Sequence, residues 1–428
     1  MRTRPGTVPQ SPRVPGYLRE NRSARELMQL STSLREGAMH TPLFEVSEDP
    51  SQVYAHFLLV EDEQANPITS AILSANALVD HRDLAASEFE PLPQGLWGLT
   101  VCVPADWRAS YRITTHRGTD LSPWRAASER RPIRLAADSG GIDHFNPRVG
   151  ASMNGAPVSL AYGPAASVPE ILATAMPDRQ RPGPAVGGWG TPEHRTRSLH
   201  PRLHHHELYD ENCRRPRDVW VYEPYRYSEP TPLVIVHDGA TYTRFLAIAD
   251  SLDAAISVGD LAPIHVLFID STNVELRGRE LPFLEGTTTS ITTQFLPWVR
   301  SLYRVSRRPE ETLINGASFG GLAALMLVSK HPDLVGCALA QSPSLWHTPM
   351  TDALRSLPCT SRVLMQAGCY ETDIHQGCLE LMTELANTSS PGDIRFESMA
   401  GGHDWAWWHP ELLRILAHIF PGTAPHQS

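Results

Sequence analysis

The sequence predicts a two-domain chain: an all-β sandwich followed by a doubly wound α/β domain with a mostly parallel sheet. Three observations carry this. At 428 residues the chain is longer than one hydrophobic core ordinarily organises. Between residue 41 and about residue 158, short apolar runs are broken by turn signals and helical periodicity is largely missing, the pattern of a sandwich. From residue 198 onward strand-like runs alternate with helix-like ones, the pattern of a sheet covered on both faces.

Taken in order, residues 1–40 are polar and hold Pro5, Pro9, Pro12 and Pro15, which reads as a disordered tail. Residues 41–168 form the sandwich, with strands expected at 54–60, 97–103 and 111–114. Residues 169–197 gather Pro177, Pro182, Pro184 and Pro192 with Gly183, Gly187, Gly188 and Gly190, and read as a linker. Residues 198–428 form the α/β domain. Its strands are expected at 218–222, 233–236, 264–269 and 363–366, of which 233–236 and 264–269 are apolar runs rich in β-branched residues, and its helices at 242–258, 287–303, 320–330 and 377–386.

Composition narrows the partners. A formal charge of −10 argues against general nucleic-acid binding, while leaving room for a local arginine cluster that holds an anion. No run approaches the ~18 apolar residues of a membrane helix. The N-terminus has arginines without an apolar stretch behind them, so no secretory signal is expected. Six cysteines without a CxxC pair fit a reducing cytosol, and the chain is expected to be cytoplasmic. The tract His204-His205-His206 reads as a solvated loop, because consecutive side chains do not converge on one ion. No metal site and no cofactor are expected.

The chemistry centres on Gly316-Ala317-Ser318-Phe319-Gly320, a G-x-S-x-G between a strand end (Thr312-Leu313-Ile314) and good helix formers from Gly321 to Val328. Small residues on both sides of a serine allow the sharp strand-to-helix turn that exposes its hydroxyl, the nucleophile elbow of α/β-hydrolases. A serine needs a base, and His403 in Gly401-Gly402-His403-Asp404 lies in the right chain order, after the last strands. The acid should follow the strand at 363–366, where Glu371 and Asp373 both qualify, with Asp404 a third option, and a Ser–His dyad with no strong acid also fits the sequence. The oxyanion hole is expected from the Phe319 N–H and from Gly239 or Ala240 in the turn His237-Asp238-Gly239-Ala240-Thr241. Trp405, Trp407 and Trp408 either wall an aromatic pocket or pack the core.

These stretches resemble one family. Gly316 to Leu325, His331-Pro332, Gln341-Ser342, Gly401-Gly402-His403-Asp404, Arg217-Asp218-Val219-Trp220-Val221-Tyr222, and Ile269-Asp270 followed by Arg277-x-x-Glu280-Leu281-Pro282 resemble the enterochelin esterases. So do Gly95-Leu96-Trp97, Asp106-Trp107-Arg108-Ala109-Ser110-Tyr111 and Asp143-His144-Phe145-Asn146-Pro147 in the first half. The resemblance spans residues 41 to 420. It implies an Ig-like N-terminal sandwich, a C-terminal α/β-hydrolase, and hydrolysis of the trilactone of a catecholate siderophore such as ferric enterobactin. Ferric ion would enter only as part of that substrate. It also moves the acid to Glu371, through Gly368-Cys369-Tyr370-Glu371. The family commonly carries a tryptophan just after the Asp-Gly turn, where Tyr242 lies nearest here. A trianionic complex with three aryl rings calls for guanidinium groups and aromatic walls. Arg277, Arg279, Tyr242, Trp405 and Trp107 are the expected contacts, with Arg277 alternatively paired to Glu280. The same triad would also serve a general carboxylesterase or a thioesterase.

Overall fold

The computed structural model describes residues 12–62, 65–76, 78, 83–167, 200–386 and 392–423. The expected linker at 169–197 lies outside the described residues, as do residues 1–11.

The first unit is built from two four-stranded antiparallel sheets. One runs β1 (Leu43–Val46), β2 (Gln52–Val60), β5 (Leu96–Pro104), β4 (Glu90–Leu92). The other runs β3 (Ser70–Ala75), β6 (Arg108–His116), β8 (Pro157–Tyr162), β7 (Val149–Ala151). The three expected strands fall within β2, β5 and β6. Both sheets feed one core: Phe57 of β2 meets Tyr111 of β6 edge-on with ring centroids 4.9 Å apart, and Val101, Val103 and Trp107 pack with them.

The expectation of a disordered tail fails from residue 12 on. Helices Tyr17–Asn21 and Ala24–Arg35 lie against the first sheet. Ser23 caps the second helix in a capping box with Glu26, and Leu18, Leu27 and Leu34 are buried with Leu58, Leu92 and Leu96. That apolar stripe outweighs the polar composition around it.

The second unit is an eight-stranded mixed sheet with helices on both faces. Its strands are β9 (Leu203–Asp210), β10 (Arg215–Tyr222), β11 (Leu233–His237), β12 (His265–Ile269), β13 (Thr312–Ala317), β14 (Cys337–Gln341), β15 (Arg362–Gly368) and β16 (Asp393–Met399). Their order is β16-β15-β14-β13-β11-β12-β10-β9. From β11 onward the pairs are parallel; β10 runs antiparallel to β9 and β12. Leu233 and Ile235 point into one core, Val234 and Val236 into the other, which is why β11 reads as an unbroken apolar run.

Two local expectations are corrected. His204, His205 and His206 lie in edge strand β9, not in a loop, and their side chains diverge to Glu223, Asp218 and Tyr303 respectively. The helix expected over 242–258 begins only at Ile248, after a wide turn at Thr241–Phe245 and a left-handed Ala247. The helix expected over 287–303 is likewise opened into the wide turns Leu284–Thr288 and Ile291–Phe295 before Leu296–Leu302. The other two expected helices are longer at their starts, Phe319–Lys330 and Thr372–Ala386.

Candidate active site

Strand β13 ends at Ala317 and a helix begins at Phe319, leaving Ser318 alone to make the turn. Its φ of 59° and ψ of −118° are strained for a residue with a side chain. The elbow has no room for larger neighbours. A Cβ on Gly316 would stand 2.4 Å from the carbonyl carbon of Gly320, and one on Gly321 would stand 2.7 Å from the Gln341 oxygen. The backbone holds the strain in place: Ser318 N–H donates to Gln341 O at 2.9 Å, and Ser318 O accepts from Leu322 and Ser344 N–H at 3.1 and 3.2 Å. The hydroxyl is half-buried, with Ser344 Oγ at 3.4 Å.

The candidate acid and base follow the last two parallel strands, β15 and β16. After β15 the chain turns at Gly368 and carries Glu371 inward, where it is buried. His403 Nδ1–H donates to Glu371 Oε1 at 2.5 Å. Glu371 Oε2 accepts from Ser342 Oγ at 2.8 Å and from Gly368 N–H at 2.6 Å. Ser342, itself at φ 45°, accepts from Trp408 Nε1 at 2.9 Å, and the His403 ring stands edge-on to Trp408 at 4.7 Å. With Nδ1 committed, Nε2 is the nitrogen left for proton transfer. Asp373 is exposed in the first turn of Thr372–Ala386. Among the described residues no direct hydrogen bond joins Ser318 to His403; such contacts commonly tighten only around substrate.

Across the site lies the turn after β11. Burial alone would push the Asp238 carboxyl up, but the Arg277 guanidinium and the Ser271 hydroxyl override it and hold it below the ordinary carboxylate value. Arg277 Nε and Nη2 donate to Asp238 at 2.8 and 2.9 Å, and Nη2 also donates to Ala317 O at 2.8 Å. One guanidinium therefore ties the oxyanion turn to the elbow. Phe319 N–H opens a helix, where no intrahelical carbonyl is in reach. Ala240 N–H faces Asp270 Oδ1 at 3.4 Å, which leaves Gly239 the freer second donor.

The expected substrate contacts are redistributed. Arg277 is occupied as described, and it pairs with Asp238, not Glu280, because Glu280 is taken by Arg215 and Arg217. Tyr242 is 1% exposed, packed among Phe268, Trp405 and His409, so it is a core residue. Trp107 is buried in the sandwich core against Phe57. Arg279 is exposed and pairs with Glu275 one turn away. Trp405 is half-buried two residues from His403, while Trp407 and Trp408 are core.

Sequence reasoning weighed Trp107 and Arg108 of the first unit as cleft residues or as packing, and missed the bonds this unit makes to residues 400–411. Arg108 at the start of β6 donates its N–H to Ala400 O at 2.9 Å and forms a parallel bridge with Gly401. Its guanidinium meets buried Glu411 at 2.8 Å. Ser110 donates N–H and Oγ to Asp404 at 2.6 and 2.8 Å, and Asn76 Nδ2 donates to His403 O. Residues 400–404, which carry His403, are thus gripped by the first unit. The partners lie 292 to 327 residues apart, so no local signal joins them.

A strained serine after the central parallel strand, with a histidine–carboxylate pair on the following loops, defines an α/β-hydrolase of the esterase type. The comparisons agree with both halves: the model for the enterochelin esterase N-terminal domain matches residues 57–171, and the esterase model matches residues 211–419. The chain belongs to the enterochelin esterase family. It is 28% identical over 422 residues to the iron(III) enterobactin esterase of Dickeya dadantii, covering 91% of this chain and 92% of that protein. It is 25% identical to the iron(III) salmochelin esterase of Escherichia coli, over 94% of this chain and 97% of that one. The ferric enterobactin esterase of Salmonella typhimurium shares the fold, with a TM-score of 0.70 at 21% identity over 89% of this chain and 96% of that one.

Proposed function

We propose that this chain is a serine esterase that opens the ester bonds of a catecholate siderophore, ferric enterobactin or a close relative, and so frees its iron. The observation that carries the reading is the Glu371–His403 bond set beside the Ser318 elbow, in a family whose named relatives act on iron(III) enterobactin and salmochelin.

In this reading His403 Nε2 takes the Ser318 proton as Oγ attacks a lactone carbonyl, and Glu371 stabilises the imidazolium through Nδ1–H. Phe319 and Gly239 N–H groups hold the oxyanion. Collapse breaks the ester C–O bond, and His403 returns the proton to the departing serine alkoxide. Water, deprotonated by His403, then releases the acyl group and restores Ser318. The cycle needs no resident metal or cofactor, since iron is cargo of the substrate. We further read the first unit as an Ig-like sandwich and place the enzyme in the cytoplasm, where its six free cysteines suit a reducing environment.

The test is to incubate the protein with ferric enterobactin and follow linear trimer, dimer and monomer by mass. Ser318→Ala should lower turnover by about 10⁴-fold or more. Cleavage of p-nitrophenyl acetate with no breakdown of the trilactone would overturn the siderophore reading in favour of a general carboxylesterase.

A further inference from the structure

Beside the nucleophile the fold leaves aromatic rings in water. Trp346 is 63% exposed and Phe283 46% exposed. By contrast Trp107, Trp124, Trp220 and Trp407 are fully buried, and among the described residues Trp346 is the exposed indole. The two exposed rings belong to one connected set. Phe319 lies 5.7 Å from Trp346 and 5.7 Å from His347, Trp346 lies 5.8 Å from His347, and Phe283 lies 5.3 Å from His347. His347 is fixed by a 2.8 Å bond between Nδ1 and Thr348 Oγ1.

The set starts at the chemistry. Phe319 directly follows the serine, and Ser344, two residues before Trp346, has its hydroxyl 3.4 Å from Ser318 Oγ. The rings therefore run outward from the reacting atom across two loops, the segment after β14 and the turn before Leu284–Thr288. None of the four comes from the Trp405–Trp408 segment, which the sequence offered either as a wall or as core packing. An indole exposed this far contributes little to the core; beside a nucleophile its flat face suits a planar aryl group, by offset or edge-to-face stacking.

We propose that Phe283, Phe319, Trp346 and His347 form an aryl-binding wall that stacks a catechol ring of the ester substrate and selects aryl-bearing serine esters over aliphatic ones. The proposal rests on the siderophore reading for the identity of the ring, but the wall itself is tested separately. Trp346 is exposed, so its replacement does not threaten folding.

The first measurement is the ratio of kcat/KM for enterobactin over vinyl acetate. Trp346→Ala should lower this ratio about five- to tenfold, chiefly through KM, while Trp346→Phe should keep it within about twofold. The second is a binding titration of 2,3-dihydroxybenzoylserine in the Ser318→Ala background, where adding Trp346→Ala should raise Kd by a similar factor. An unchanged ratio and unchanged Kd would overturn the wall, as would Trp346→Phe falling as far as Trp346→Ala. If the wild-type protein fails to cleave enterobactin, the siderophore reading falls, and the titration alone then decides the wall: a raised Kd upholds it and an equal Kd removes it.

Discussion

Glu371 and Asp373 stand two residues apart, and only Glu371 meets His403. Its carboxylate collects three donors, from His403, Ser342 and Gly368, inside a buried turn. Glu371→Ala should lower kcat by roughly 10²–10⁴-fold, with Asp373→Ala within about twofold, both read by steady-state kinetics. Equal losses would remove the distinction. Chain order singled out Ser318 and His403, because a nucleophile elbow and a late Gly-Gly-His have few rivals. It could not choose between the two acids, since that choice depends on how the backbone turns after Gly368. Arg277 was hidden for a similar reason. Its nearby carboxylate, Glu280, is captured by two other arginines, and it reaches instead across 39 residues to Asp238. Competition among like charges for a few buried partners is a three-dimensional matter.

Among the elements, the elbow is the most constrained. Gly316→Ala would place a methyl 2.4 Å from the Gly320 carbonyl carbon, and the backbone on both sides of it is fixed. Such overpacking should cost about 1–3 kcal/mol in urea unfolding and lower kcat at least tenfold, because the serine moves with the helix start. Unaltered stability and turnover would mean that the turn is softer than its contacts imply. Strands buried on both faces, such as β11 and β12, were readable as continuous apolar runs. Strand β9 was not, because at the sheet edge its residues alternate between half-buried and exposed and include three histidines. The helix Ala24–Arg35 carries a legible capping box and leucine stripe, but they sit next to a proline-rich stretch whose composition dominated the reading. The wide turns around residues 241–245 and 284–295 have no sequence signature of their own and cut two helical patterns short.

At the scale of the molecule, burial pushes His237 and His409 down to about 4. Neither ring nitrogen of His237 has a protein partner, so charging it inside the core is unfavourable. Once unfolded, both would titrate near the usual ~6.5. As pH falls, the unfolded chain therefore binds protons first. The stability these residues contribute is complete above pH ~6.5 and is lost on the way down to about 4, at up to ~1.4 kcal/mol per pH unit for each. Tm by calorimetry should accordingly drop between pH 7 and pH 5; a flat Tm across that window would contradict it. The seam between the units was not legible, since Ser110 and Asn76 look like ordinary strand and turn residues and nothing near Arg108 in the sequence points to Glu411. That seam has a consequence for inheritance. The loop carrying His403 is held on one side by the hydrolase sheet and on the other by β6, through Arg108 to Glu411 and Ser110 to Asp404. Recombination that exchanged one half for that of a distant relative would preserve two folded pieces and misplace the imidazole between them. The halves can be traded within a lineage only as a matched set.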